Sequence, residues 1–348
     1  MKIGIYDPYL DTLGGGERYC LDIAACLGRA HDVCVFWDDP SILSQAQKRF
    51  HTDIAKIRVS PNFWKTENLI FKLQESRKYD ALFMVSDGSI PSTLAKKTFL
   101  IFQFPVITTR GLLENLKMQK ITGILCYSQF VKKFLDKQFE KQVIVLTPSV
   151  DLEAFKPGKK EQLILSVGRF TKGKNIKKQE FLIDVFKKLS EKYLKNWRLV
   201  LAGGMLSKDA DFVDSLNNRA KGYPVTIMPD ATFFEIQSLY GKARIYWHAA
   251  GFGEDLTLHP ERAEHFGLTT IEAMSAGAVG VVFAGGGQRE VVEDRVSGFL
   301  WHTQEDLMRI TNSLIGKPKI WLRVSKAAQR RAKDFSRERF CSEVHQLL

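Results

Sequence analysis

No stretch of about 20 uncharged apolar residues runs anywhere in this 348-residue chain, so a membrane-spanning helix is not expected. The opening Met-Lys-Ile-Gly-Ile-Tyr-Asp reads as a strand. Without an apolar h-region behind it, it is not expected to be a signal peptide. Cysteine is sparse: Cys20, Cys26, Cys34, Cys126 and Cys341 are odd in number and scattered, with no metal-ligand spacing. They read as reduced, mostly buried thiols of a cytoplasmic protein. No Asp-x-Asp follows a predicted strand, and Asp38-Asp39 sits in a loop without partners, so no metal site is expected. No Ser-His-Asp or Cys-His arrangement emerges from spacing. Zinc-finger spacing and RNP aromatics are absent, so nucleic acid is not an expected partner. Low-complexity tracts and internal repeats are absent too.

What is present is basic. The formal net charge is +12, with 45% hydrophobic and 26% charged residues, ordinary for a globular chain apart from its sign. A basic protein attracts polyanions: nucleotide sugars, anionic lipid surfaces, nucleic acid. The length suits two domains of about 150–180 residues. Apolar runs alternate with helical-period segments, as in parallel sheets with crossover helices. The first half gives strands at 2–6, 32–36, 81–85, 98–104, 123–127 and 143–146. The second restarts with 163–167, 198–202, 225–228, 244–248, 279–283 and 298–301. Between them, residues 147–161 carry two prolines, a glycine and several charges, a linker composition. The expected division is 1–155 and 156–326, with amphipathic helices over 327–348 broken near Phe335-Ser336.

In open α/β sheets ligands bind beyond the carboxyl ends of the strands, and the notable motifs fall there. Glu264 and Glu272 stand eight apart in Glu-His-Phe-Gly-Leu-Thr-Thr-Ile-Glu-Ala-Met-Ser-Ala-Gly. Phe266-Gly267 predicts a bend, and 268–276 a short helix closed by Gly277. The helix start, around Leu268 and Thr269, offers free N–H groups and a positive dipole end to a phosphate. Two carboxylates beside a phosphate cradle suit a ligand with both hydroxyls and phosphates; the competing reading is two solvated glutamates. Arg169 and Lys174 lie five apart in a glycine-containing loop after a strand. Arg grips phosphate bidentately and Lys adds a point charge; a solvated basic loop is the alternative. Leu13-Gly-Gly-Gly-Glu-Arg18 follows the first strand, where glycines permit close backbone approach to a ligand. It is not Gly-x-Gly-x-x-Gly, which argues against a dinucleotide oxidoreductase. Ala284-Gly-Gly-Gly-Gln-Arg-Glu290 reads either as a turn or as a sugar-contacting loop around Gly286. His248 and His259 read as buried or solvated histidines, with ligand contact as the alternative.

These segments together resemble the retaining glycosyltransferases of family 4, built on two Rossmann-like domains facing across a cleft, the GT-B arrangement. The resemblance covers nearly the whole chain. It implies an α/β fold whose C-terminal helix crosses back to the N-terminal domain, an N-terminal acceptor domain and a C-terminal donor domain. It also implies that Arg169 and Lys174 hold a donor diphosphate, and that Gly15 and Gly16 reach the sugar and phosphate. The Gly-Gly-Gly-Glu-Arg form resembles mannosyltransferases of lipid-linked glycan assembly. Where many relatives carry His-Phe-Pro or His-Tyr-Pro, this chain has Phe102-Gln103-Phe104-Pro105. Gln103 can hydrogen-bond a sugar hydroxyl but cannot titrate.

The implied activity is transfer of a hexose, with a lean to mannose, from a nucleotide-diphosphate sugar to an acceptor hydroxyl. Configuration would be retained, without metal or cofactor. The implied catalytic residues are Glu264, Arg169 and Lys174. Donor contacts would come from Gly15, Gly16, Arg169, Lys174, Glu264, Phe266, Gly267, Leu268, Thr269 and Glu272; Gln103, His248 and Gly286 would touch sugar or acceptor. The partners would be a nucleotide sugar, a glycan or lipid-linked acceptor, and an anionic membrane surface. The last rests on lysines interleaved with Phe130, Phe134 and Leu135 in 128–141 and on aromatics in 54–78; crossover helices packed on the sheet are the alternative. The expected location is cytoplasmic, peripheral on a membrane. Competing functions are a non-catalytic nucleotide-sugar or polyanion binder and a sugar-nucleotide epimerase.

Overall fold

The computed structural model of the protein describes residues 1–50, 52–106, 111–172 and 177–348. Two units form, each around its own sheet: Met1–Ser149 with Arg337–Leu348, and Val150–Ser336. The first holds β1 (Lys2–Tyr6), β2 (Asp32–Phe36), β3 (Arg58–Ser60), β4 (Ala81–Val85), β5 (Lys97–Phe102), β6 (Gly123–Cys126) and β7 (Val143–Val145). Their order is β3-β2-β1-β4-β5-β6-β7. The second holds β8 (Leu163–Val167), β9 (Arg198–Gly203), β10 (Val225–Pro229), β11 (Ile245–His248), β12 (Val279–Phe283) and β13 (Gly298–Trp301), ordered β10-β9-β8-β11-β12-β13. Every pairing is parallel. In both sheets the order reverses beside the first strand, the switch point at which α/β folds place ligands.

The strands read as continuous apolar runs because helices cover both faces. All five residues of β4 and of β8 are buried, as parallel sheets require. Helices start where the sequence supplies a cap: Ser128 Oγ accepts from the Val131 amide and Asn68 Oδ1 from Phe71. Cores form separately, around Phe36, Leu82, Phe102 and Ile124 in the first unit, and around Phe186, Trp247, Trp301 and Leu307 in the second.

Two features depart from the sequence reading. The edge strand β3 was not expected; it is three residues long and partly exposed, too short to leave a periodic signal. Cys26 and Cys341 are disulfide-bonded, with Cα atoms 5.1 Å apart, which corrects the expectation of five free thiols. Cys20, Cys34 and Cys126 are buried thiols outside the disulfide. The pairing arises because the chain returns. The helix Pro318–Ala332 and a 3₁₀ turn, Lys333–Phe335, stay with the second unit, where the Val150 amide donates to the Phe335 carbonyl at 2.9 Å. After Ser336 the helix Arg337–Gln346 packs on the helix Gly15–Leu27 of the first unit. There Phe340 meets Tyr19, and the Arg339 guanidinium donates to Thr147 Oγ1 at 2.6 Å and to the Thr147 carbonyl at 2.8 Å.

Candidate functional site

In the second unit, beyond the carboxyl end of β11, Glu264 meets His248 and Lys177. Glu264 follows a 3₁₀ turn, Pro260–Arg262. Its Oε2 accepts from Lys177 Nζ at 2.6 Å and pairs with His248 Nε2 at 2.8 Å. Side-chain exposure is 16% for Lys177 and 14% for Glu264 in this pair, and 2% for His248. Among the described residues both partners take the same oxygen, and Oε1 has none. The carboxylate is thus fixed on one side and available on the other.

The electrostatics follow from that packing. Burial alone would raise the Glu264 carboxyl pKa, but the Lys177 ammonium and the His248 contact outweigh it and hold the group far below the usual carboxylate range. Burial lowers the His248 pKa despite the neighbouring carboxylate, so its ring is neutral at pH 7. A neutral ring hydrogen-bonding a carboxylate through Nε2 carries its proton there. Nδ1 is then a buried acceptor without a partner among the described residues. Burial also drives His265 down to about 4.

The backbone around Glu264 is held by the second glycine loop. Gly287 N–H donates to the Glu264 carbonyl at 2.8 Å. Gly286 sits at φ +61°, and a Cβ there would lie 2.1 Å from the same carbonyl oxygen. No side chain fits that approach. Gly286 therefore braces Glu264 through the main chain, which favours the turn reading of 284–290.

Phe266 is buried and Gly267, at φ +121°, turns the chain into the helix Leu268–Ser275. That helix is anchored side chain by side chain. Tyr246 OH donates to Thr269 Oγ1 at 2.8 Å and lies 3.3 Å from the Val167 carbonyl, tying the helix start to the end of β8. Gln288 Nε2 donates to Thr270 Oγ1 at 2.9 Å. Glu272 is 7% exposed, and Tyr240 OH donates to its Oε2 at 2.9 Å. First-turn amides of a helix have no intrahelical acceptor, so Leu268 and Thr269 present theirs at this end of the sheet.

Arg169 is exposed in the loop after β8, and its guanidinium has no carboxylate partner among the described residues. Gln179 Nε2 holds its carbonyl at 3.1 Å. The stem of Lys177 lies over Gly168, 2.6 Å from where a Cβ would stand. Lys174 lies outside the described residues. The neighbouring lysine that meets Glu264 is Lys177, which sequence reasoning passed over. Lys178 turns to Glu254, which also binds Arg262 at 2.7 Å, so the 249–262 segment is pinned by its own ion pairs. His259 is half-exposed beside Glu261. Among the described residues no group of three or more His, Cys, Asp or Glu is placed to hold a metal.

The first unit has a smaller cluster at its own switch point. Gly14 N–H donates to Glu17 Oε2 at 2.6 Å, and the Gly15–Leu27 helix starts there. A Cβ on Gly16 would fall 2.0 Å from Gln103 Oε1, so Gln103 rests on the glycine turn, its Nε2 buried with no partner among the described residues. Asp7, fully buried after β1, was not singled out from sequence. Its Oδ1 accepts from the Tyr9 amide at 3.0 Å. Burial raises its pKa to about 6, with Glu17 adding to the effect and the Tyr9 amide opposing it. In 128–141, Val131 and Leu135 are fully buried and Phe130 packs on the core, so that apolar stripe faces the sheet. No helix among the described residues is long and apolar enough to cross a membrane.

A two-unit α/β fold with carboxylates, a basic loop and a helix start at one switch point is the architecture of sugar-nucleotide enzymes of the GT-B type. The family model described as "Glycosyl transferases group 1" matches residues 150–331, and the chain belongs to that family. It is 25% identical over 228 residues to the GDP-Man:Man(3)GlcNAc(2)-PP-Dol alpha-1,2-mannosyltransferase of Dictyostelium discoideum, covering 61% of this chain and 43% of that protein. It is 30% identical over 168 residues to the D-inositol 3-phosphate glycosyltransferase of Mycobacterium marinum, covering 46% of this chain and 34% of that one. The matched stretch thus spans less than half of these relatives. The crystal structure of Anabaena Alr3699/HepE in complex with UDP has the same fold: TM-score 0.78, 20% identity, 100% of this chain and 99% of that one. So does a glycosyltransferase from Rickettsia africae, with TM-score 0.78, 18% identity and coverage of 99% and 97%.

Proposed function

We propose that this protein transfers a hexose, with mannose the first choice, from a nucleotide-diphosphate sugar to an acceptor hydroxyl, with retention and without a metal ion. The observation that carries the reading is Glu264: ionised, immobilised through Oε2 by Lys177 and His248, and open at Oε1. A carboxylate so held binds sugar hydroxyls in one orientation. Arg169 and the amides of Leu268 and Thr269 take the diphosphate, as does Lys174 by its place in the family motif. Glu272 takes the ribose hydroxyls.

The bond from the anomeric carbon to the donor phosphate oxygen breaks, and its electron pair leaves with the diphosphate. The acceptor oxygen bonds to the same face of that carbon, and its proton passes to the departing phosphate oxygen. Fixed positive groups aimed at the leaving diphosphate stabilise the charge that develops there. Gln103, in the first unit, contacts the acceptor or sugar. The working location is the cytoplasmic face of a membrane. The mannosyltransferase relative is named for GDP-mannose and the Anabaena structure holds UDP, so the base is chosen by experiment. A thermal-shift screen of GDP- and UDP-sugars is expected to give one clear stabiliser, since ligand at 100 times its Kd adds about 2.7 kcal/mol. Product NMR with that donor, in EDTA, is then expected to show the donor's anomeric configuration. An inverted product, or no transfer with any donor, refutes the reading.

A further inference from the structure

We propose that the first unit carries a binding site for an amphiphile with a phosphate head, and that this is how a lipid-linked acceptor is held. The site is a cavity of about 290 Å³ at the carboxyl ends of β1 and β4. Tyr6, Trp64 and Met84 give it apolar lining, and Ser89 and Ser92 add hydroxyls. Two short helices flank it: Leu69–Ser76 contributes Leu69 and Lys72, and Leu112–Gln119 contributes Lys117.

Both helices pair a lysine with exposed leucine at helical spacing. Leu69 stands three residues before Lys72, and Leu113 four before Lys117, so each leucine lies beside its lysine on one face. Leu69 is 52% exposed and Leu113 72%. Ile70, Phe71, Leu112 and Leu116 extend the same exposed apolar surface. Large apolar side chains left in water on two elements around one cavity mark a contact surface. Among the described residues neither lysine pairs with a carboxylate. Glu67 lines the same cavity, leaving one net positive charge.

The chemistry selects the occupant. Lysines from the two flanking helices, with serine hydroxyls in the same lining, suit a lipid phosphate, which accepts from several donors at once. The surrounding leucines suit the hydrocarbon chain behind it. Lysine beside apolar surface is the pattern of membrane-interface elements, and a lipid phosphate at the interface satisfies both halves. This site, and not the lysine-rich 128–141 helix, is the one whose apolar residues are free.

The inference rests on the acceptor reading above, so its test does not depend on transfer. The full chain is floated with phosphatidylcholine vesicles, alone or carrying either a long-chain prenyl monophosphate or phosphatidylserine at matched surface charge. Binding is expected to favour the prenyl monophosphate. Lys72→Gln and Lys117→Gln are each expected to weaken it about fivefold, from roughly 1 kcal/mol per interfacial lysine. Leu113→Ser, at an exposed position, is expected to weaken it with no change in thermal stability or nucleotide-sugar affinity. Equal binding to both anionic vesicles, or lysine variants that bind like the parent, overturns the proposal. If the lysine effect holds while no nucleotide sugar is turned over, the phosphate site stands and the transferase reading falls.

Discussion

Replacing Lys177 with alanine tests the centre of the site. Its ammonium is 2.6 Å from Glu264 Oε2, with about 15% of either side chain exposed. At an effective dielectric of 20 the gross attraction is about 6 kcal/mol, but desolvating two ions offsets most of it. Losing one partner differs from losing both. Lys177→Ala strands a mostly buried carboxylate with only a neutral imidazole, and removing one member of a buried pair costs about 3–5 kcal/mol. Partial exposure puts this pair at the lower end, near 3. The double variant Lys177→Met/Glu264→Gln buries no ion and is expected to regain most of that stability, while transfer is lost in both. Thermal unfolding and kcat/KM for the parent, Lys177→Met, Glu264→Gln and the double variant close the cycle, with a coupling of about 2–3 kcal/mol expected. Loss of activity in Lys177→Ala with unchanged stability and no coupling to Glu264 refutes the reasoning; the lysine would then act on the donor directly, without holding the glutamate.

Two further outcomes follow from the same geometry. Asp7→Asn should stabilise the protein above pH 6: the folded carboxyl titrates at about 6 against 3.8, so its favourable contribution is complete below pH 4 and lost as pH rises through 6. The gain is at most about 3 kcal/mol, at about 1.4 per tenfold in proton affinity, and thermal scans at pH 4 and pH 8 should show it mainly at the higher pH; an equal gain at both rules out titration as its source. Gly286→Ala forces a Cβ to 2.1 Å from the Glu264 carbonyl at a positive φ and should cost about 1–3 kcal/mol and lower kcat/KM, whereas Gly316→Ala, with nothing within 4 Å, should do neither.

Much of the fold was legible because parallel strands covered on both faces leave continuous apolar runs. β1, β2, β4, β8, β12 and β13 lie where the sequence placed them, and β3 escaped because a short edge strand has no such run. The disulfide was invisible for a different reason. Its cysteines are 315 residues apart, and only the return of the last helix brings them together. For the contact surface, lysine–aromatic interleaving pointed to 128–141 and to 54–78, and the second segment supplies Trp64, Leu69 and Lys72 of the cavity. Interleaving marks an amphipathic helix but not which way its apolar face turns; in 128–141 Leu135 turns inward, while Leu112 and Leu113 remain in water.

The site divides along the same line. Glu264, Glu272, the glycine loops and the helix start were readable, since each is a residue type at a fixed distance from a strand end. Lys177 was not. Four lysines crowd residues 172–178, and spacing ranks Lys174 first because it matches the family motif. What selects Lys177 is three-dimensional. Lys178 adopts a left-handed conformation, φ 57°, as the chain enters the helix Gln179–Ser190, and that turn sends consecutive lysines to different carboxylates: Lys177 to Glu264, Lys178 to Glu254. The motif lysine and the structural lysine then have separable tasks. A cation that neutralises Glu264 is satisfied before any donor arrives, whereas one that grips a diphosphate must be free beforehand. Arg169 meets that second condition and Lys177 does not, so Arg169→Ala should weaken nucleotide-diphosphate binding while leaving stability near that of the parent.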